Sequence, residues 1–176
     1  LDSHVGTITR LLLEKITEKT DRYDLSWTER QAMTAAASFH DIGKIGIEEK
    51  LLHKENPTEK EKERLREHTV IGDEILSSLR EYQREDLVRY ARQISRWHHE
   101  RYDGSGYPDG LKGEEIPIAA QVVGLADTYE EIMEERRGGS PEEAIRVLQE
   151  EYRDAFQPLL LECMWELKDK IQEVQD

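Results

Sequence analysis

Six histidines punctuate this chain, and five of them stand in company that could bind metal. His40 and Asp41 are adjacent, as are His98 and His99. His4 lies far upstream, His68 falls between the two pairs, and Asp127 ends an apolar run. Imidazole and carboxylate are ligands for borderline and hard divalent cations. Five histidines and two aspartates can hold two ions if the fold makes them converge. Such a cluster points to hydrolytic chemistry. Two ions sharing a water lower its pKa, present hydroxide to an electrophile, and offset charge that builds on an attacked phosphate.

A blander explanation competes for each residue. A single histidine on an apolar helix face is usually a core residue with satisfied hydrogen bonds. His40, His68 and His98 each fall where the helical period expects burial, on three separate helices. Burying several imidazoles costs free energy unless each finds a partner, and metal coordination would satisfy all of them together. His53 sits in a charged loop and is read as solvated. Asp127 is either a metal ligand or the partner of a buried base. Lys44, one turn beyond His40, could meet a phosphate oxygen or an attacking water, or simply face solvent.

The elements that must position these groups read as helices. Val5, Ile8, Leu12 and Ile16 have helical spacing over residues 5–18. Ser26 with Glu29 forms a capping-box signature for a second helix that buries Met33, Ala36, Ala37 and His40. Pro57-Thr58 opens a long third helix through Leu65, His68, Ile71, Ile75 and Leu79. A fourth runs from about Arg84 to His99 with Leu87, Ala91, Ile94 and His98 on one face. Residues 101–116 hold Gly104, Gly106, Pro108, Gly110 and Gly113, and read as a structured loop. Pro117 starts a fifth helix, buried over Ala119 to Ala126 and ended by Gly138-Gly139. Ser140-Pro141 and Pro158 start two more. The expected fold is an all-α single bundle of about seven helices with a Gly-rich loop near 101–116.

Composition narrows the function. The chain has 176 residues, suited to one domain spanning 1–176. Its net charge of −14 argues against duplex DNA or anionic lipid as partners. Bound ions would make the pocket locally positive and so admit an anionic substrate. One cysteine, Cys163, excludes an intrachain disulfide and fits a cytoplasmic location. No apolar run is long enough to span a bilayer. The chain opens at Leu1, directly in a helical pattern, as expected of a piece of a longer protein. That first helix could continue upstream and pair subunits in a homodimer.

These residues resemble a known family. His4, His40-Asp41 and Asp127 resemble the metal signature of the HD phosphohydrolase superfamily. The run from His40 to Ile47 and the run from His98 through Gly106-Tyr107-Pro108 are similar to the two signatures of its HD-GYP branch. The resemblance implies that His4, His40, Asp41 and Asp127 hold one metal and that Asp41 bridges to a second. It implies that His68 and His98 ligate that second metal, and that His99 serves in members with a third. It implies iron or manganese. It implies Lys44 facing the substrate phosphate, with Asp103, Gly106, Tyr107, Pro108 and Arg136 contributing to substrate binding. Asp41 and Lys44 would be catalytic. Family members hydrolyse cyclic di-GMP to pGpG or GMP, related members act on cyclic GMP-AMP, and such domains commonly follow a receiver or sensor domain. The Gly-rich loop can serve as substrate contact, as structural closure, or as both.

The chain also departs from that pattern. The family's Asp-Arg-Pro-Tyr-Arg segment is replaced around Arg136, leaving one aligned arginine. Glu130 stands for an aspartate, Gln121 for an arginine, and Gln157 for the aspartate of Phe-Asp-Pro. Beside a cyclic-dinucleotide phosphodiesterase, two alternatives therefore stand. One is a metal-binding but weakly catalytic sensing or interaction module. The other is an HD hydrolase of a different phosphoester.

Overall fold

The computed structural model describes residues 4–137 and 139–176. Among the described residues there are ten α-helices, four short 3-10 segments and no strand. The helices are α1 (Val5–Lys19), α2 (Trp27–Ala36), α3 (Glu49–Leu52), α4 (Glu59–Arg66), α5 (His68–Ser77), α6 (Asp86–Trp97), α7 (Ile118–Glu135), α8 (Pro141–Glu151), α9 (Pro158–Glu166) and α10 (Lys168–Gln175). The all-α bundle expected from the sequence is what forms. The higher helix count arises mainly because two expected helices are each broken by one residue. Glu67 separates α4 from α5, and Leu167 separates α9 from α10. The break at Glu67 leaves His68 at the first position of a new helix, and the break at Leu167 turns the chain so that Ile171 returns to the core. The start of a helix near Leu1 and Gly138, expected at the end of the fifth helix, lie outside the described residues.

Local chemistry explains the starts. Ser26 Oγ accepts from Glu29 N, satisfying one of the first-turn amides that lack helical partners. The full reciprocal capping box forms at α4 instead, where Thr58 and Glu61 bond each other's backbone. Ser140 caps α8 with Pro141 in its first turn.

α7 is the spine. Every residue from Ala119 to Ala126 is buried, because α7 packs against α1, α6 and α8. Burying side chains such as Val122, Leu125 and Tyr129 contributes about 1.5–3 kcal/mol each. α1 supplies the facing wall with Ile8, Leu12 and Ile16, all fully buried. α2, α5 and α6 form the other half of the bundle. Leu79 and Leu87, expected on buried faces, are 43% and 41% exposed. Both lie where the chain passes from α5 into α6, beyond the packed part of either helix. No helix among the described residues is long and apolar enough to cross a membrane.

Candidate metal centre

Three histidines reach one point from three different elements, and each is aimed in the same way. His40 follows the 3-10 turn Ala37–Phe39, and its Nδ1 lies 2.8 Å from Ala37 O. His68 opens α5, with Nδ1 2.7 Å from Leu65 O. His98 ends α6, with Nδ1 2.8 Å from Ile94 O. A backbone carbonyl at Nδ1 holds a proton there and turns Nε2 into the cluster, as the nitrogen that would face a metal.

Asp41 is the hub. Its Oδ2 lies 3.3 Å from His40 Nε2, and its Oδ1 lies 3.4 Å from His68 Nε2 and 3.7 Å from His98 Nε2. Asp127, from the middle of α7, places Oδ1 3.4 Å from His40 Nε2. Two potential ligand groups result, Asp41 with His68, His98 and His99, and His40 with Asp41 and Asp127. Within each group the ligand atoms lie within 4.8 Å of one another.

The electrostatics match this crowding. Burial would raise the Asp41 carboxyl, but the imidazoles of His40, His68 and His98 hold it well below the usual carboxylate range. Burial would lower His40, but Asp127 and Asp41 outweigh it and raise the imidazole to about 10. His98 is pushed down by burial, and His99 further by burial and by His98 beside it. Lys44 loses some water to its surroundings, yet Asp41 at 3.0 Å from its Nζ raises it.

The residues fit a divalent metal. His68 Nε2 and His98 Nε2 are buried with no hydrogen-bond partner, and a native fold rarely leaves two such atoms orphaned side by side. A cation among them would satisfy both and neutralise Asp41 and Asp127 as well. The donor set, imidazole and carboxylate without thiolate, suits iron, manganese or zinc over softer ions.

The packing that holds the cluster is tight. A Cβ on Gly43 would stand 1.7 Å from His68 O, so the 3-10 segment Ile42–Gly46 meets the start of α5 only because that position is glycine. A Cβ on Gly106 would stand 2.4 Å from His99 O, which lets the Gly-rich loop lie directly on the His98-His99 pair. Tyr107 follows, stacked on His99 with centroids 4.9 Å apart and planes 14° from parallel. Burial pushes its hydroxyl up to about 12. The Tyr107–Pro108 peptide bond is cis.

The residues that hold this loop were not singled out from sequence. Glu100, 4% exposed, accepts hydrogen bonds from the backbone amides of Asp109, Gly110 and Leu111. Asp109 in turn accepts from Arg96 through both oxygens and from Trp97 Nε1 at 2.7 Å. Arg101 donates to His98 O and Glu100 O, covering carbonyls left free at the end of α6. Nothing in its local sequence separates Glu100 from the many other acidic residues; its three loop amides lie 9 to 11 positions further along the chain.

Lys44, His68, His99 and Asp127 line a cavity of about 470 Å³ together with Val5, His40 and Asp41 and with Glu130, Glu131 and Glu134 of α7. Partial desolvation at the cavity wall and the charge of Asp127 push Glu131 up to about 7. Three expected site residues are placed elsewhere. His4 stands at the N-cap position of α1 near Glu130, with no side-chain cap hydrogen bond, and joins neither ligand group. Asp103 is exposed and accepts from Ser105 N and Oγ within its own turn. Arg136 is exposed at the end of α7, away from the cavity wall.

This constellation has relatives. Residues 3–160 match the HD domain family. The chain belongs to that family. It carries the HD-GYP signature residues His40-Asp41 and Gly106-Tyr107-Pro108, and the structure sets these two signatures side by side. The chain is 38% identical over 143 residues to a cyclic di-GMP phosphodiesterase of Thermotoga maritima, covering 79% of this chain and 38% of that protein. It is 39% identical over 117 residues to the cyclic di-GMP phosphodiesterase response regulator RpfG of Xanthomonas campestris, covering 66% of this chain and 30% of that one. It is 32% identical over 152 residues to a 3'3'-cGAMP-specific phosphodiesterase 2 of Vibrio cholerae, covering 84% and 28%. The HD domain protein thus spans about a third of the length of these curated relatives. Its fold is shared with Bd1817 of Bdellovibrio bacteriovorus, described as an HDG"Y"P protein, at a TM-score of 0.65 and 18% identity over 94% of this chain and 51% of that one.

Proposed function

We propose that this HD domain is a metal-dependent phosphodiesterase that opens a cyclic dinucleotide, cyclic di-GMP first, to pGpG or GMP. The observation that carries the reading is Asp41, whose two oxygens face two separate histidine groups. In this reading His40, Asp41 and Asp127 hold one ion, while Asp41, His68, His98 and His99 hold the other, iron or manganese in each case. When bound, the ions supply Lewis acidity, an acidified water and charge neutralisation at phosphorus. Lys44, tethered by Asp41, is placed to neutralise a phosphate oxygen or the leaving group. Tyr107 shields the His99 side of the cluster. The cyclic-dinucleotide class is supported by relatives named for cyclic di-GMP and for 3'3'-cGAMP. The domain, residues 1–176 in this numbering, would form the C-terminal part of a longer signalling protein, behind a receiver or sensor domain, as the response-regulator relative suggests.

A second reading has one observation in its favour. Glu130, Glu131 and Glu134 line the same cavity, and their charge opposes an anionic substrate. A metal-binding, weakly catalytic sensing module fits that wall.

Anaerobic turnover of cyclic di-GMP and 3'3'-cGAMP by Fe(II)- or Mn(II)-loaded protein, with products separated by chromatography and Asp41→Ala as control, decides between them. Linear product from wild type alone supports the phosphodiesterase. Two bound metals with nucleotide binding but no product supports the sensing module.

A further inference from the structure

The cavity at the cluster adjoins a second one. Lys44 and His68 line both, and the second, of about 410 Å³, is completed by Leu52, Lys62, Leu65, Arg66 and Tyr107. The two ends of this cleft carry opposite charge. Three glutamates of α7 line the first cavity, whereas Lys62 and Arg66 of α4 line the second. An anionic ligand that reaches the metal cluster therefore has one favourable direction in which to extend.

The cations at that end are not equivalent. Lys44 is held by Asp41 at 3.0 Å, and Lys62 by Glu59 at 3.1 Å. Arg66 forms no ion pair among the described residues. Its guanidinium carbon lies 5.1 Å from the Tyr107 ring centroid, in cation–π contact. Tyr107 is itself stacked on His99. His99, Tyr107 and Arg66 thus form one stack that runs from the metal cluster into the second cavity. In contact with both His99 and Arg66, the Tyr107 ring is placed to support the two side chains. The planar fork of an arginine suits two phosphate oxygens at once.

We propose that Arg66 binds the substrate phosphate that is not being cleaved, and that Tyr107 is the positioning residue that holds Arg66 and His99 in register. This rests on the cyclic-dinucleotide reading above, whose substrates carry two phosphates. Arg136 lines neither cavity, which leaves Arg66 as the arginine placed for this contact.

The test compares wild type, Arg66→Gln, Arg66→Lys, Tyr107→Leu and Tyr107→Phe, all metal-loaded, on three substrates. Cyclic di-GMP and linear pGpG carry two phosphates, and bis(p-nitrophenyl) phosphate carries one. Arg66→Gln should raise KM for the two-phosphate substrates by about 10- to 100-fold, the loss of a charge-assisted contact. Its kcat should change by less than about threefold and its KM for bis(p-nitrophenyl) phosphate by less than about twofold. Arg66→Lys should fall between the two. Tyr107→Leu should reproduce the KM rise, and Tyr107→Phe, which keeps the ring, should restore most of it. Equal effects of Arg66→Gln on all three substrates, or none on any, would overturn the assignment. If wild type cleaves pGpG but no cyclic dinucleotide, the cyclic substrate is wrong and Arg66 is judged on pGpG. If wild type cleaves only bis(p-nitrophenyl) phosphate, the second-phosphate role is overturned as well.

Discussion

His68 Nε2 stands 3.4 Å from Asp41 Oδ1, buried and without a hydrogen bond, while the other oxygen of the same carboxylate faces His40. One aspartate therefore divides its two oxygens between two imidazole groups. Removing its charge should affect both groups at once. Asp41→Asn should lower bound metal from about two equivalents to one or none and reduce turnover by at least about 100-fold. Elemental analysis after desalting checks the first, and steady-state rates check the second. Two retained equivalents would mean that Asp41 bridges nothing.

The metal-free cluster holds a proton that an ion must displace. Burial opposes it, but Asp127 and Asp41 raise His40 to about 10, so at neutral pH its imidazole is charged. A metal ligand must be neutral, so binding releases that proton. Apparent affinity for Mn(II) should therefore rise with pH through the neutral range as this proton becomes easier to displace. Calorimetry in two buffers of different ionisation enthalpy should give about one proton released at pH 7. A pH-independent affinity would place His40 outside the ligand set.

Gly43 is the point where the His40-Asp41 segment touches the α5 backbone. Gly43→Ala would bring a Cβ to 1.7 Å from His68 O and 2.6 Å from Gly72 N, backbone atoms that cannot swing away. We expect a loss of about 3 kcal/mol or more from this overpacking. The thermal midpoint should fall by about 6–12 °C at this chain length, and the variant should bind metal more weakly when folded. Thermal melts of metal-free and metal-loaded protein measure both effects.

Glu100 makes the Gly-rich loop a rigid part rather than a strap. Its carboxylate accepts from Asp109 N at 3.0 Å, Gly110 N at 3.1 Å and Leu111 N at 3.1 Å. In Glu100→Gln one acceptor oxygen becomes a donor, so at least one buried amide loses its partner. The expected loss is about 1–3 kcal/mol. Hydrogen exchange should localise it, with protection falling at the amides of residues 109–111 and little change in α1 or α8. Uniform loss across the chain would assign Glu100 to global packing instead.

The helix faces and the convergence of His40, Asp41, His68, His98, His99 and Asp127 were legible in the sequence for a physical reason. His40, His68 and His98 were read in phase with apolar stripes, and stripe phase is what packing obeys; Asp41 and His99 are brought in by being their chain neighbours, and Asp127 by the buried run it follows. Breaks at Glu67 and Leu167 were not legible, because neither carries a glycine or proline and the turn is imposed by what each half buries. The place of Arg136 was not legible for a related reason. Alignment to a motif counts residues along the chain, whereas α7 ends at Glu135 and turns that side chain outward. Arg66 had no signature at all; its significance comes from Tyr107, which is 41 positions away in sequence.

Two departures from the family pattern turn out to be one. Gln157 Nε2 donates to Gln121 Oε1 at 2.9 Å, with both side chains buried, and Gln121 Nε2 donates to Ile116 O. Where the pattern has arginine and aspartate, this chain has a neutral amide pair, and neither glutamine lines the cavity at the metal cluster. Gln157 also bonds Arg22 and Glu114, so the exchange lies where the core meets an exposed ion pair and away from the cavity at the metal cluster. Gln121→Arg alone would bury a guanidinium against an amide, at a cost of about 3–5 kcal/mol. Adding Gln157→Asp supplies the missing charge, so the double variant should recover most of that loss, a coupling of about 2 kcal/mol or more between neighbours. Urea denaturation of the wild type, both single variants and the double variant closes the cycle. Additive losses would show that the two positions do not act as a pair, and KM for the cyclic dinucleotide should stay within about twofold in any variant that folds, because the coupling belongs to the core and not to the cleft.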